Sequence, residues 1–295
     1  MIIFHKANDF LDFILYHGRM WNYFEPKDVR WYSWKLDGAS VWVRKNGEEW
    51  KFAVAPIPFK QLNPESAGPI EDEVPADLPV SFAVSAGKRI GLRPSLSEIP
   101  YLVSARNEIK ILPGSEAWFA IALPPLLRFE LEGGIVLHHA SPFTVSNTWF
   151  GDKTAGNLCL SLPIELDPYC NGEKSFDKQI SSANAASEVS PEASSKYLRC
   201  RSLIQCKLVV RNRSKEPVDL NRMAVFTDLM NLYVKGSSLV SDTVVITATA
   251  DGSLQNSIDE KPFRGLTKIH EAKKTGLSEV FIRRGVSFLR SITGL

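Results

Sequence analysis

The sequence predicts an all-β, mainly antiparallel protein with two β-sandwich-like domains and a short C-terminal amphipathic helix. Short apolar or alternating runs recur along the chain, and Pro and Gly residues separate them. No convincing stretch of helical period appears between residues 35 and 165. This pattern is typical of sandwiches and barrels rather than of alternating strands and helices.

The clearest single element is a hairpin over residues 41–52. Asn46-Gly47 predicts a two-residue type I′ turn, because both central positions of that turn need a positive φ. This turn would place Val43 opposite Trp50 on an apolar face. Trp42 would then lie on the more polar face, either covered by another element or open to a partner.

Similar patterns predict strands in both halves of the chain. In the first half they cover about residues 79–85, 100–105, 117–123, 126–131, 135–139 and 158–162. In the second half they cover about residues 204–210, 218–226, 232–235 and 243–249.

The composition changes between the two halves. Residues 171–196 are rich in Ser, Ala, Glu and Lys and poor in large apolar side chains, which is typical of a flexible linker or insertion. We therefore expect an N-terminal sandwich domain over residues 1–170. A second sandwich domain with a basic helix would follow over residues 197–295.

The predicted helix near residues 277–293 lies in the most basic region. Residues 261–295 carry eight Lys and Arg against two acidic residues. This tail would suit an anionic membrane surface or an acidic protein groove, or its apolar stripe would simply pack on the second domain. Nucleic acid is not favoured, because basic residues do not alternate with aromatic ones. The candidate partner-binding residues are Arg283, Arg284, Phe288 and Arg290.

Composition and charge are those of a water-soluble globular protein. The chain has 295 residues, 44% hydrophobic residues and a net charge of +2. We see no secretory signal and no apolar run long enough to span a membrane, so we expect a cytoplasmic protein. The four cysteines match no zinc spacing, so free thiols and no metal site are expected.

Residues 148–159 form the most irregular stretch of the chain. Two aromatic residues, two glycines, an acid and a thiol fall in a predicted strand–loop–strand. Trp149 and Phe150 would offer a stacking platform for a carbohydrate or another polar metabolite. Asp152 would act as acceptor, metal ligand or base beside the Cys159 thiol. Alternatively, the glycines supply unusual backbone angles and the aromatic rings plug the end of the sandwich.

The pair His138-His139 is the second candidate. Adjacent strand residues point to opposite faces, so the two imidazoles are not expected to ligate one metal together. Either of them could form a general-base pair with Asp152 if their strands are neighbours. A structural role for both is the simpler interpretation.

The segment from about residue 79 to 162 resembles an uncharacterised archaeal and bacterial family, the domain of unknown function number four hundred and thirty-two. The likeness rests on Leu112-Pro113-Gly114, the β run after it, Thr148-Trp149-Phe150-Gly151-Asp152, and Gly156-x-Leu158-Cys159. Leu160 departs from the family, which tends to have an aromatic residue there. The resemblance implies a β-rich cytosolic protein and supplies no catalytic role.

Signatures of catalysis and cofactor binding are absent from the sequence, including phosphate-binding loops and zinc-protease motifs. The leading hypothesis is a non-catalytic binding or regulatory module without a cofactor, which engages a protein partner, with the tail at a membrane surface. The alternative is an enzyme or ligand-binding protein with a site at Trp149–Cys159. A third possibility is a homo-oligomer with Trp31, Trp34 and Trp42 at the contact.

Overall fold

A computed structural model describes most of the chain. The described residues are 20–66, 68–69, 73–151, 153, 156–166, 196–235, 238–250, 254–259 and 266–272. The predicted linker up to residue 195 and the predicted C-terminal helix with Arg283, Arg284, Phe288 and Arg290 lie outside them.

The described residues form twenty-one strands and two short 3-10 helices, Phe59–Gln61 and Lys196–Arg199. The first strands are β1 (Tyr32–Leu36), β2 (Ala39–Asn46), β3 (Glu49–Ala55), β4 (Ile57–Pro58), β5 (Gly68–Pro69), β6 (Val80–Val84) and β7 (Ile90–Ser95). Then come β8 (Tyr101–Ile111), β9 (Glu116–Leu123), β10 (Leu126–Leu131), β11 (Val136–Ala140), β12 (Phe143–Thr144), β13 (Ser146–Phe150) and β14 (Asn157–Leu166). The last are β15 (Ile204–Asn212), β16 (Val218–Val225), β17 (Leu232–Lys235), β18 (Ser238–Ser241), β19 (Thr243–Ala248), β20 (Leu254–Asp259) and β21 (Thr267–His270).

The strands are arranged in five sheets, in which antiparallel pairing predominates. Three sheets have the orders β5-β1-β2-β3-β6, β11-β10-β7 and β13-β14-β8-β16. The largest runs β20-β19-β15-β18-β17-β21, with β9 paired to β15, and β12 pairs with β4 in a small parallel sheet. The predicted all-β, mainly antiparallel class is confirmed for the described residues.

The first hairpins correct the predicted turn. The type I′ pattern of two positive φ angles occurs at Asp37-Gly38, where φ is 49° and 115°. In the predicted hairpin the central turn residues are Gly47 and Glu48, and only Gly47 has a positive φ, of 61°. Val43 therefore faces Phe52 instead of Trp50. This shift moves the cross-strand partner by two residues, so the inward face stays the one predicted.

Sheet pairing crosses the predicted linker. Strand β9 pairs with β15 along its whole length, from Glu116 opposite Arg211 to Leu123 opposite Ile204. Strand β8, which precedes the predicted linker, pairs with β16, which follows it. A division of the chain into two domains at residues 171–196 would have to separate strands that share these ladders, and it stays a prediction.

Asp37 connects the first hairpin to the start of β15. Its carboxylate is fully buried and accepts hydrogen bonds from the Ser202 backbone amide at 2.8 Å, from the Arg201 amide at 3.4 Å, and from the Ser202 hydroxyl. Its backbone carbonyl also accepts from the Asn63 amide at 2.7 Å. A turn residue is thus buried because a later segment packs directly on it.

Removing this carboxylate should destabilise the protein. Asp37→Ala leaves two buried donors of Ser202 without partners. It also puts alanine, which has no polar side chain to compensate, at a positive φ, so the free energy of unfolding should fall by about 3 kcal/mol. Asp37→Asn keeps one acceptor oxygen and tolerates that φ, so it should lose clearly less. Urea unfolding with an unchanged m-value measures both. Equal losses, or none, would contradict the role assigned to the carboxylate.

Candidate functional site

The irregular stretch 148–159 forms the hairpin β13–β14. Thr148 faces Cys159 and Trp149 faces Leu158 across it. Gly151 has a φ of 108°, so its lack of a side chain is used at the turn. Strand β13 ends its sheet among the described strands, while β14 pairs onward with β8. Asp152 lies outside the described residues.

The two faces of this hairpin separate the predicted site residues. Trp149 is 54% exposed and its cross-strand partner Leu158 is 45% exposed. Phe150 and Cys159 are buried on the opposite face. The interpretation of Trp149 and Phe150 as one stacking platform is therefore wrong, because neighbouring strand residues point to opposite faces. A ligand on the outer face would meet Trp149 and Leu158.

The Cys159 thiol, which was predicted to lie at the candidate site, is not exposed. Its side chain is buried, and burial raises the pKa of this thiol to about 11. Burial likewise raises the pKa of the Cys206 thiol, to about 12, and Cys206 lies in the core. At neutral pH both thiols are protonated, which is the unreactive form.

His138 and His139 lie on β11, in a different sheet from the hairpin β13–β14. The His138 ring stacks on Phe52 at 5.3 Å and lies 6.1 Å from the Phe129 ring. His139 is exposed and faces Arg128 across the ladder. No strand pairing among the described residues joins either histidine to the predicted site at 148–159. The pairing with Asp152 stays a prediction, because Asp152 lies outside the described residues.

His138 should make stability depend on pH. Burial, and then the charge of His139, lower the pKa of His138 below its usual 6.5. As pH falls below that value the unfolded chain takes up a proton that the folded protein does not, so stability falls. His138→Phe keeps an aromatic ring against Phe52 and should flatten this dependence in urea midpoints.

The matched control is His139→Gln at the exposed neighbouring position. It should keep most of the pH dependence, because burial of His138 is the larger cause. If the urea midpoint changes with pH below 6.5 by the same amount in His138→Phe and in the parent chain, His138 does not cause the pH dependence.

A polar cluster covers the outer face of the sheet β11-β10-β7. Arg93 and Arg128 are direct cross-strand neighbours, and the repulsion between their like charges disfavours this arrangement. Arg128 lies 3.3 Å from the buried Glu130 carboxylate, which also accepts a 2.5 Å hydrogen bond from Tyr23. Burial and Glu130 raise the pKa of Tyr23 to about 12.

Arg93 uses its guanidinium to hold distant segments. It donates to the Trp21 carbonyl at 2.6 Å and to the Ile269 carbonyl at 3.0 Å. These contacts fasten residues 20–24 and β21 to β7. The cluster therefore has a structural explanation. In the part of the chain that the structure describes, no group of three His, Cys, Asp or Glu side chains could hold a metal ion.

Strand β6 carries the most exposed apolar surface on a sheet edge. Its sequence is Val80-Ser81-Phe82-Ala83-Val84, and it ends its sheet among the described strands. Val80, Phe82 and Val84 share one face and are 44%, 75% and 69% exposed. Isolated exposed apolar residues are ordinary, whereas three on the same face of one strand form an apolar patch of the kind found at interaction surfaces.

The backbone groups of β6 that point away from β3 belong to the same three residues. Ser85 donates to the Glu48 carbonyl at 2.8 Å, which makes this a hydrogen-bonded pair. Hydrogen-bonded and non-hydrogen-bonded pairs alternate along an antiparallel ladder. Phe82 faces Lys51 in a non-hydrogen-bonded pair. The N–H and C=O groups of Val80, Phe82 and Val84 therefore point away from β3.

The sequence predicted a strand at residues 79–85 but not this surface. The alternation of apolar and small residues in β6 is equally typical of a strand with one face in the core. The three apolar side chains are exposed because they share the face of Glu49 and Lys51, opposite the buried Trp50 and Phe52, which only the three-dimensional pairing shows. By contrast, Trp34 and Trp42 are buried, so of the three tryptophans proposed for an oligomer contact only the half-buried Trp31 reaches the surface.

The chain belongs to the family described as "Protein of unknown function (DUF432)", whose model matches residues 20–289. The match includes the segment from which the resemblance was identified and extends through the second half of the chain. No curated protein and no solved structure matches the chain. Among the described residues, no helix has the length and apolar character needed to cross a membrane.

Proposed function

We propose that this protein is a binding module that engages a protein partner through the edge of strand β6. The observation that carries the proposal is the exposure of Val80, Phe82 and Val84 on one face of an edge strand. Natural proteins usually protect such edges with charges, prolines or bulges. Strand β6 contains none of these between Val80 and Val84.

The mode of binding is addition of an extended strand to the sheet. In this mode backbone hydrogen bonds supply affinity, while alternate side chains supply specificity. Both contributions come from the same three residues of β6. The strand it pairs with, β3, is firmly held, since Trp50 and Phe52 are buried in the core and Trp50 donates to the Ser85 carbonyl at 3.2 Å. The binding edge is therefore preorganised.

The surface beside the stripe is polar and locally neutral. Lys51 lies beside Phe82 in the ladder and forms a 2.8 Å ion pair with Glu49, which lies beside Val84. Such a neutral rim lets an apolar strand approach without a repelling charge. The contact of the basic tail with an acidic surface and the cytoplasmic location remain predictions that accompany this proposal.

Site-specific photo-crosslinking in cells tests the proposal. A photoreactive phenylalanine analogue in place of Phe82 should give discrete protein adducts. The additional change Val84→Lys should abolish them, because it places a charge on the apolar face of the edge. Mass spectrometry of the adducts identifies the partner and the cross-linked residue.

The matched control places the same analogue at Ile135, which is 62% exposed in the turn after β10. Adducts at position 82 that are absent at position 135 would support binding at β6. No adducts at position 82, or the same adducts at both positions, would contradict it.

A further inference from the structure

The edge of β6 is complementary to itself. The strand reads Val-Ser-Phe-Ala-Val from residue 80 to residue 84, which is close to a palindrome. If two such strands run antiparallel about a two-fold axis at Phe82, Val80 faces Val84 of the second copy. Phe82 then faces Phe82 of that copy. The apolar stripes of both strands lie on one face of a continuous sheet.

The backbone groups fit the same arrangement. The outward N–H and C=O groups belong to residues 80, 82 and 84, as the pairing with β3 requires. In the two-fold arrangement these residues meet residues 84, 82 and 80 of the second copy. Every outward donor of one strand therefore faces an outward acceptor of the other, and a shift by one residue would lose this match.

Charge does not oppose the contact. Strand β6 has no ionisable side chain, so no like charges meet across the axis. Across the strands at the two-fold axis, the side chains would follow in the order Lys51 and Phe82 of one copy, then Phe82 and Lys51 of the other. Each lysine keeps its ion pair with Glu49 at 2.8 Å. The aromatic pair at the centre is an arrangement that favours association.

We infer that the partner of β6 is a second copy of this chain, bound by antiparallel β6–β6 pairing about a two-fold axis at Phe82. The inference rests on the proposed function and specifies its partner. A five-residue edge buries less than the about 800 Å² per partner of a standard interface. The dimer is therefore weak and forms at high protein concentration.

Sedimentation equilibrium between about 1 µM and 1 mM tests the association, a range that covers weak affinities. The average mass of the parent chain should rise from 32.9 kDa towards twice that value. Phe82→Lys and Phe82→Glu should each stay monomeric, because each places like charges at the axis. An equal mixture of these two variants should regain a heavier species. Val29→Lys, at an exposed position outside the strands, should behave like the parent chain.

Cross-linking with a short thiol-reactive reagent tests the register of the β6–β6 pairing. Phe82→Cys places two thiols in a directly opposed pair with Cα atoms about 5.5 Å apart. Val84→Cys separates its two thiols by four residues along the strands, or about 14 Å. Phe82→Cys should therefore cross-link and Val84→Cys should not, with the parent chain as control for its own cysteines. Equal cross-linking of the two variants would overturn the register.

The outcomes also separate this inference from the proposed function. A parent chain that stays monomeric, with cross-links from position 82 in cells to a different protein, overturns self-pairing and leaves the proposed function standing. A dimer that neither Phe82→Lys nor Phe82→Glu weakens uses another surface and overturns self-pairing as well. A monomer without any cross-link at position 82 overturns both.

Discussion

Strand β15 is the constraint on which the rest of the structure depends. Eight of its nine residues are buried, and the ninth, Arg211, is half-buried. A strand covered on both faces must satisfy its backbone through neighbours on both edges. Strand β9 supplies one edge, and β18 and then β19 supply the other. Segments far apart in sequence must therefore meet there before the core can close.

The proposed binding strand β6 lies away from this central strand, at the end of another sheet. Asp37 fastens the first hairpin to the residues just before β15, and that hairpin continues through β3 to β6. The edge strand is thus attached to a rigid sheet, and no described strand pairs with its other side. Where an edge is held firmly but left unprotected, strand addition costs little reorganisation. The binding proposed at β6 would therefore need no movement of the core.

Local patterns in the sequence were enough to predict most of the strands, because alternation and turn residues act over a few positions. Prediction failed where distant contacts decide. The turn at Gly47 has only one positive φ, although Asn46-Gly47 suits type I′, and the true type I′ turn at Asp37-Gly38 is buried by a later segment. Cys159 is buried because β14 is covered on its inner face, and Phe82 is exposed because it lies on the face of its sheet opposite the buried Trp50 and Phe52. Neither fact is local.

Amide hydrogen exchange along β6, followed by NMR as protein concentration rises, tests the central claim most directly. In dilute protein the amides of residues 81, 83 and 85 should exchange slowly, and those of Val80, Phe82 and Val84 should exchange fast. When the partner binds, the second group alone should become protected. Slow exchange of Phe82 in the dilute monomer would mean that the chain covers this edge itself. Unchanged fast exchange in the bound state would contradict strand addition.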